Sequence, residues 1–515
     1  MIRFSGRRIP TTWLALVAGA VALAAASPRA QALSAAVDAY VASHQREIVS
    51  SLIDLVSIPN VKGDAANLRR NATAVGDLLR ARGFAVDLVD TAAAPLVLGE
   101  LKVPGATRTV LLYAHYDGQP VDPARWTPPT PFAAVLRSGR LGAAGVKDLP
   151  NVASLSTFDP DWRLYGRSAA DDKAPIIAIA AALDALRSSG RAPTWNVKIL
   201  ADGEEESGSP GLTALAPTLR ERLKADLLLM LDGPAHPSGR PTLVFGARGV
   251  LTFELTVYGP KQELHSGHYG NWIPNPAVRL SRLVASMKDD SGRVLVKGFY
   301  DGIAPLTNEE RALLRSVPDD PDALLALFGV AGPEASAESL QEAYTRPSLN
   351  IRGISSGHVG AAATNVIPSE AVASFDIRLV TETPGTAILD KIKAHIASQG
   401  FHLVDRDPDD ATRARYRDIV KLTVSAPTEA YRVSVTTPMS RMVIDGLSRA
   451  LGQQPVVLRT SGATVPMADL SAAAGAPAIS VQTVNFDDNQ HTDNENVRLG
   501  HLFNAVKTIA ALLTM

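Results

Sequence analysis

Apolar positions recur at helical spacing in some stretches of the chain and run almost unbroken in others. From about Ala35 to Val61 the spacing predicts an amphipathic helix leading into Ser57-Ile58-Pro59, where proline stops it. A second helix is expected from about Asn67 to Arg82, ending at Gly83. Ala85–Val89, Leu96–Leu101 and Thr109–Ala114 then read as strands, and the proline-rich stretch Pro120–Pro131 as a surface loop. The Ala- and Ile-rich segment Asp172–Ser188 reads as a buried helix. Trp195–Ala201 and Leu227–Leu231 read as short, almost wholly apolar strands. Continuous apolar strands alternating with helices imply a mostly parallel sheet covered on both faces.

The pattern changes near Phe245. Thr252–Tyr258 and Ala371–Val380 alternate apolar and polar residues, as half-exposed antiparallel strands do. Between them lie a helix starting near Pro276 and a polar, acidic stretch, 287–345; Thr386–Ser398 is a further helix. After about Thr428 the chain returns to a buried α/β pattern: helix Thr437–Leu451, strand Ala478–Thr483 and a final helix Leu499–Leu513. The expected organisation is an α/β catalytic domain, 33–245 plus 428–515, interrupted by a smaller α+β domain, 246–427. Residues 1–32 are set aside as a signal peptide. Arg3, Arg7 and Arg8 precede an apolar run from Thr11 to Ala26, and Ala30-Gln31-Ala32 supplies a small-x-small cleavage pattern. The run is shorter than the ~20 residues of a membrane span. The expected location is periplasmic or secreted, with no stable membrane insertion after cleavage.

Composition narrows the chemistry. The 515 residues are 46% apolar and 20% charged, a balance that supports a large core. Lys+Arg 51 against Asp+Glu 52 gives a net charge of −1, which argues against a nucleic-acid partner. With no cysteine, disulfides, thiolate zinc sites, iron–sulfur clusters and thiol nucleophiles are all excluded. A metal site in this chain must be built from His, Asp and Glu.

Three of the apolar strands run directly into such residues. Thr109–Ala114 leads to His115-Tyr116-Asp117, Trp195–Ala201 to Asp202-Gly203-Glu204-Glu205-Glu206, and Leu227–Leu231 to Asp232. Ligands of open parallel sheets bind outside the carboxyl ends of the strands. Asp171-Asp172-Lys173 at the start of a buried helix, and His491 in the loop after the last strand, complete the set. Singly, each has a plain structural explanation: a surface pair, a helix N-cap, a solvated acidic face or a turn. Their joint placement at one sheet edge favours a site.

These residues fall in longer motifs: Tyr113-Ala114-His115-Tyr116-Asp117, Tyr165-Gly166-Arg167-Ser168-Ala169-Ala170-Asp171-Asp172-Lys173, and Glu205-Glu206-Ser207-Gly208-Ser209. Further along come Glu263-Leu264-His265-Ser266-Gly267, Asn365-Val366-Ile367-Pro368, Phe375-Asp376-Ile377-Arg378-Leu379-Val380, and His491 before Asn494-Glu495. From about residue 40 to the C-terminus the chain resembles the co-catalytic zinc hydrolases. That group includes carnosinase-type dipeptidases, glutamate carboxypeptidase, aminoacylase and succinyl-diaminopimelate desuccinylase. Arg346-Pro347-Ser348-Leu349-Asn350 and the long inserted domain look most like the dipeptidase branch.

The resemblance implies two divalent ions, with zinc expected and manganese or cobalt as alternatives. His115 and Asp232 would hold one and Glu206 and His491 the other, with Asp171 bridging. Asp117 would orient the His115 imidazole, and Glu205 would be the general base. His265 would donate to the oxyanion, reaching a partner subunit's site in a homodimer. Arg378, Asn365 and Thr464 would contact the substrate, Arg378 as a clamp for its carboxylate. Two departures stand out: Ser168 where the family usually has glycine, and Ala463-Thr464 where it shows glycine followed by serine. The expected activity is hydrolysis of dipeptides or terminal residues of small peptides. Release of an acyl group from an N-acyl amino acid is the alternative, and a non-catalytic binding protein is disfavoured because binding alone needs no general base.

Overall fold

Thr109–His115, Asn196–Asp202 and Leu227–Met230 are adjacent parallel strands at the centre of an eight-stranded sheet. The computed structural model describes residues 28–127, 130–334 and 337–515. Residues 1–27 of the expected signal peptide lie outside the described residues; helix Pro28–Val56 begins just ahead of the expected cleavage point. Among the described residues, no helix is long and apolar enough to cross a membrane.

The sheet runs in the order Ala85–Val89, Leu96–Leu101, Asn196–Asp202, Thr109–His115, Leu227–Met230, Ala478–Gln482, Thr242–Val244, Val456–Leu458. Its centre is parallel. The first three strands pair antiparallel to one another, as do Ala478–Gln482 and Thr242–Val244. The nearly unbroken apolar sequences of the central strands follow from cover on both faces. On one side helix Lys173–Ser188, Ala- and Ile-rich and buried along most of its length, packs against Pro28–Val56 and the final helix Leu499–Leu513. On the other, Pro210–Leu223 packs against Met467–Ala474.

A second, five-stranded sheet is drawn entirely from residues 249–424. Its order is Ser348–Ser355, Glu370–Leu379, Gly249–Tyr258, Ile419–Val424, His402–Val404. Along Glu370–Leu379 burial alternates strictly, because only one face is covered. The rings of Phe253 and Phe375, cross-strand partners, stack at 4.6 Å between centroids in the core beneath helices Pro276–Ala285 and Gly385–Ser398. The polar stretch 287–345 is more ordered than its composition suggests. It holds the short helices Asn308–Ser316, Pro321–Phe328 and Leu340–Ala343, the first with a capping box between Thr307 and Glu310.

Candidate metal centre

The carboxyl ends of the central parallel strands gather the acidic and histidine side chains into one cleft. Two groups lie close enough to share ions: His115 with Glu205 and Asp232, and Asp171 with Glu206 and His491. Asp171 joins them. Its Oδ1 is 2.8 Å from His115 Nε2, and its Oδ2 is 3.1 Å from His491 Nε2. His491 Nε2 is also 3.3 Å from Glu206 Oε2. The first group is anchored deep by His115, 1% exposed at its side chain, and Asp171 between the groups is 6% exposed; the second group opens to solvent through His491, 52% exposed.

Local sequence explains why adjacent glutamates diverge. Glu204 turns inward, its carboxylate accepting the N–H groups of Ala93, Ala94 and Gly211. Glu205 and Glu206 open a 3₁₀ turn, Glu205–Ser207, whose first two N–H groups donate to Asp117 Oδ1 and Oδ2 at 3.2 and 3.1 Å. Asp117 also approaches His115 Nδ1 to 3.3 Å, without hydrogen-bond alignment. Its principal contacts are therefore with the glutamate turn, a role beyond the imidazole contact expected from sequence.

The 167–171 loop that carries Asp171 is held by Glu495. Oε1 accepts the N–H of Ala170 and of Asp171, at 3.0 and 2.9 Å. Oε2 accepts Ser168 N–H at 2.9 Å and Arg167 Nη1 at 2.7 Å. The Arg167–Glu495 pair is buried, and removing one partner from such a pair costs about 3–5 kcal/mol. Ser168 sits at φ 60°, a left-handed conformation natural to glycine. Its hydroxyl compensates by accepting Asn60 Nδ2 at 2.9 Å. Gly118 packs so closely on this hydroxyl that an added Cβ would collide with it.

Several supporting residues carry no sequence signal of their own. Asn60 also donates to the Tyr116 carbonyl at 2.7 Å, and Lys62 Nζ to the Glu206 carbonyl at 2.9 Å. Lys173, by contrast already part of the Asp171-Asp172-Lys173 motif, reaches back through Nζ to the carbonyls of Leu55 and Ile58 at 2.8 and 2.9 Å. Gln119 and Gln490 donate to Glu206 and Asp171. Each acts through one or two hydrogen bonds, which leave no periodicity to read.

Electrostatics favour a cation here. Burial, then the Asp171 charge, pushes Glu206 up to about 7. Burial pushes Asp232 up to about 6, against the pull of His115. Glu205 is raised well above the ordinary carboxylate range by burial and by Asp232, Asp171 and Glu206, again against His115. Divalent ions would replace the protons these groups otherwise hold, and the His and carboxylate donors suit zinc, manganese or cobalt.

The substrate residues expected from sequence are only partly assembled. Arg378 Nη1 donates to Thr464 Oγ1 at 2.9 Å, and that hydroxyl donates to the Arg248 carbonyl at 2.7 Å, linking the two sheets' regions. Asn365 lies apart from them, beside His265: its carbonyl accepts Ser266 N–H at 2.9 Å, and Val366 pairs with His265. His265 is exposed, accepts Gly267 N–H at 3.1 Å, and packs near the His268 ring. None of its described contacts involves the metal-centre residues.

The family model described as peptidase family M20/M25/M40 matches residues 149–515. The chain belongs to this family. As an M20 peptidase it is a hydrolase, and its mixed α/β fold follows the family's arrangement. A Cys-Gly metallodipeptidase of Candida albicans is 31% identical over 310 residues, 59% of each chain. The human beta-Ala-His dipeptidase is 25% identical across 92% of this chain and 90% of its own. The crystal structure of an M20 family metallo-carboxypeptidase from Sulfolobus solfataricus superposes with a TM-score of 0.74. It shares 27% identity, covering 91% of this chain and 98% of the other.

Proposed function

We propose that this M20 peptidase is an exported dinuclear metallopeptidase that hydrolyses the amide bond of dipeptides or terminal residues of small peptides. The observation that carries the reading is Asp171, whose two oxygens approach His115 and His491 separately. His115 and Asp232 would hold one ion, Glu206 and His491 the other, and Asp171 would contribute to both. When bound, two divalent ions, zinc by expectation, would supply a water acidified toward neutrality and a positive charge for the developing oxyanion. Glu205 takes the proton of the attacking water and passes it to the leaving nitrogen, a role for which its raised proton affinity suits it. Arg378, with Thr464, presents a planar fork to the substrate carboxylate. The similarity to proteins named as dipeptidases supports a free dipeptide over an N-acyl amino acid.

A panel of peptides tests this with metal removed and restored. Free dipeptides should be cleaved only with metal; N-blocked amino acids and C-terminally amidated dipeptides should be poor substrates. Preference for the N-blocked compounds would make the protein a deacylase instead, and equal cleavage of amidated and free peptides would remove the Arg378 clamp.

We assign His265 and Asn365 to the site of a partner subunit in a homodimer built through the inserted domain. The exposure of His265 and its lack of metal-centre contacts support this. Mixing inactive Glu205→Ala with inactive His265→Ala should restore part of the activity, since a mixed dimer holds one complete site. No recovery despite subunit exchange would place His265 outside the partner's site. Export rests on the basic, apolar and small-residue order of residues 1–32. N-terminal sequencing of protein from the cell envelope should begin at Leu33; an intact Met1 would refute cleavage.

A further inference from the structure

Glu206 is held at three points. Its N–H donates to Asp117 Oδ2, its carbonyl accepts Lys62 Nζ, and its carboxylate Oε2 accepts the side-chain amide of Gln119 at 2.6 Å. Glu205 shares the two backbone holds, its N–H donating to Asp117 Oδ1 and its carbonyl accepting Gly208 N–H at 2.7 Å, and lacks the third. Among the described residues, no hydrogen bond reaches its carboxylate. A carboxylate oxygen carries two lone pairs, so an amide on one leaves the other for a cation. The same arrangement recurs at Asp171, whose Oδ2 accepts Gln490 Nε2 at 3.0 Å. Both amide-bound oxygens face His491 Nε2, at 3.1 and 3.3 Å. In the buried group, no side-chain amide among the described residues touches the carboxylates of Asp232 or Glu205.

We propose that Gln119 is the positioning residue that fixes Glu206, rather than Glu205, as a metal ligand. It thereby sets the affinity of the solvent-open cation position separately from the buried one. The inference rests on the dinuclear reading above. Two neighbouring glutamates on one short turn have similar chemistry, and the one whose carboxylate is aimed by a fixed donor pays less side-chain entropy to bind a cation. The other stays free to pivot, as a group that must accept and release a proton requires. Groups that hydrogen-bond metal-bound carboxylates typically account for about 10–100-fold in metal affinity.

Stepwise zinc binding to the full-length protein, measured in competition with a chromophoric chelator, tests this without reference to turnover. His491→Ala identifies which step belongs to the open position. Gln119→Met keeps the length of the side chain and removes its donor. It should weaken that step about 10–100-fold and leave the buried step unchanged. Gln119→Asn, which retracts the amide by one methylene, should lose the same step, and thermal unfolding in chelator verifies that both variants fold. Equal weakening of both steps, or of neither, overturns the proposal. Wild-type protein that binds fewer than two ions would instead overturn the dinuclear reading on which it rests.

Discussion

Glu205→Gln should retain two metal ions and lose turnover by about 10²–10⁴-fold, the range general acid–base catalysis contributes. Glutamine keeps the shape of the side chain and its place on the turn, because the hold on this turn runs through the backbone N–H groups of residues 205 and 206 to Asp117. The ligand oxygens of Asp171 and Glu206 are set by other partners and should not move. What is lost is the proton acceptor. Loss of kcat with little change in KM is the expected split if, as proposed, the carboxylate acts on the attacking water and not on substrate binding. Metal analysis alongside the kinetics decides the assignment. Glu205 also lies within ligand reach of His115 and Asp232; a Glu205→Gln protein that loses the buried ion would show it to be a ligand and not the base.

The central strands were legible because burial on both faces leaves almost no polar residue in them, so that His115, Asp202 and Asp232 stand out where each run ends. Direction was less legible. A buried strand reads as apolar whether its neighbour is parallel or antiparallel, and the antiparallel edge formed by Ala85–Val89, Leu96–Leu101 and Asn196–Asp202 emerges only from the pairing. Thr242–Val244 and Val456–Leu458, three residues each, are too short to carry a period. Strand Ser348–Ser355 exposes Ile351 and Ile354 at a sheet edge, so its apolar residues mark no buried face. At the metal centre the sequence offered the candidate ligands, through motif and position. It could not offer Asn60, Lys62, Gln119 or Gln490, whose contributions are one or two hydrogen bonds each, made across the fold. Glu495 was itself a motif residue, yet its four hydrogen bonds to the 167–171 loop become apparent only when that loop is folded against it.

Asp171→Asn should be more damaging than Glu205→Gln and by a different route: both ions should be lost together. Burial alone would raise the Asp171 carboxyl. Hydrogen bonds to His115 and His491 and the proximity of both rings overcome this and hold it well below the ordinary carboxylate range. Asparagine keeps the volume but replaces one oxygen by an amide nitrogen, which cannot bind a cation, and removes the charge that both positions share. On the proposed assignment, the remaining donors would be His115 and Asp232 at the buried position and Glu206 and His491 at the open one. Each position then lacks the anionic ligand that connects it to its neighbour. Activity should fall to background, beyond the 10²–10⁴-fold range of a lost base, because the acidified water and the charge for the oxyanion disappear at the same time. Far-ultraviolet circular dichroism should remain near wild type, since the loop is pinned by main-chain N–H groups donating to Glu495 and not by the Asp171 side chain. Equilibrium dialysis against zinc reads the outcome directly. Retention of one ion would assign Asp171 to a single position, and retention of both would remove it from the metal centre altogether.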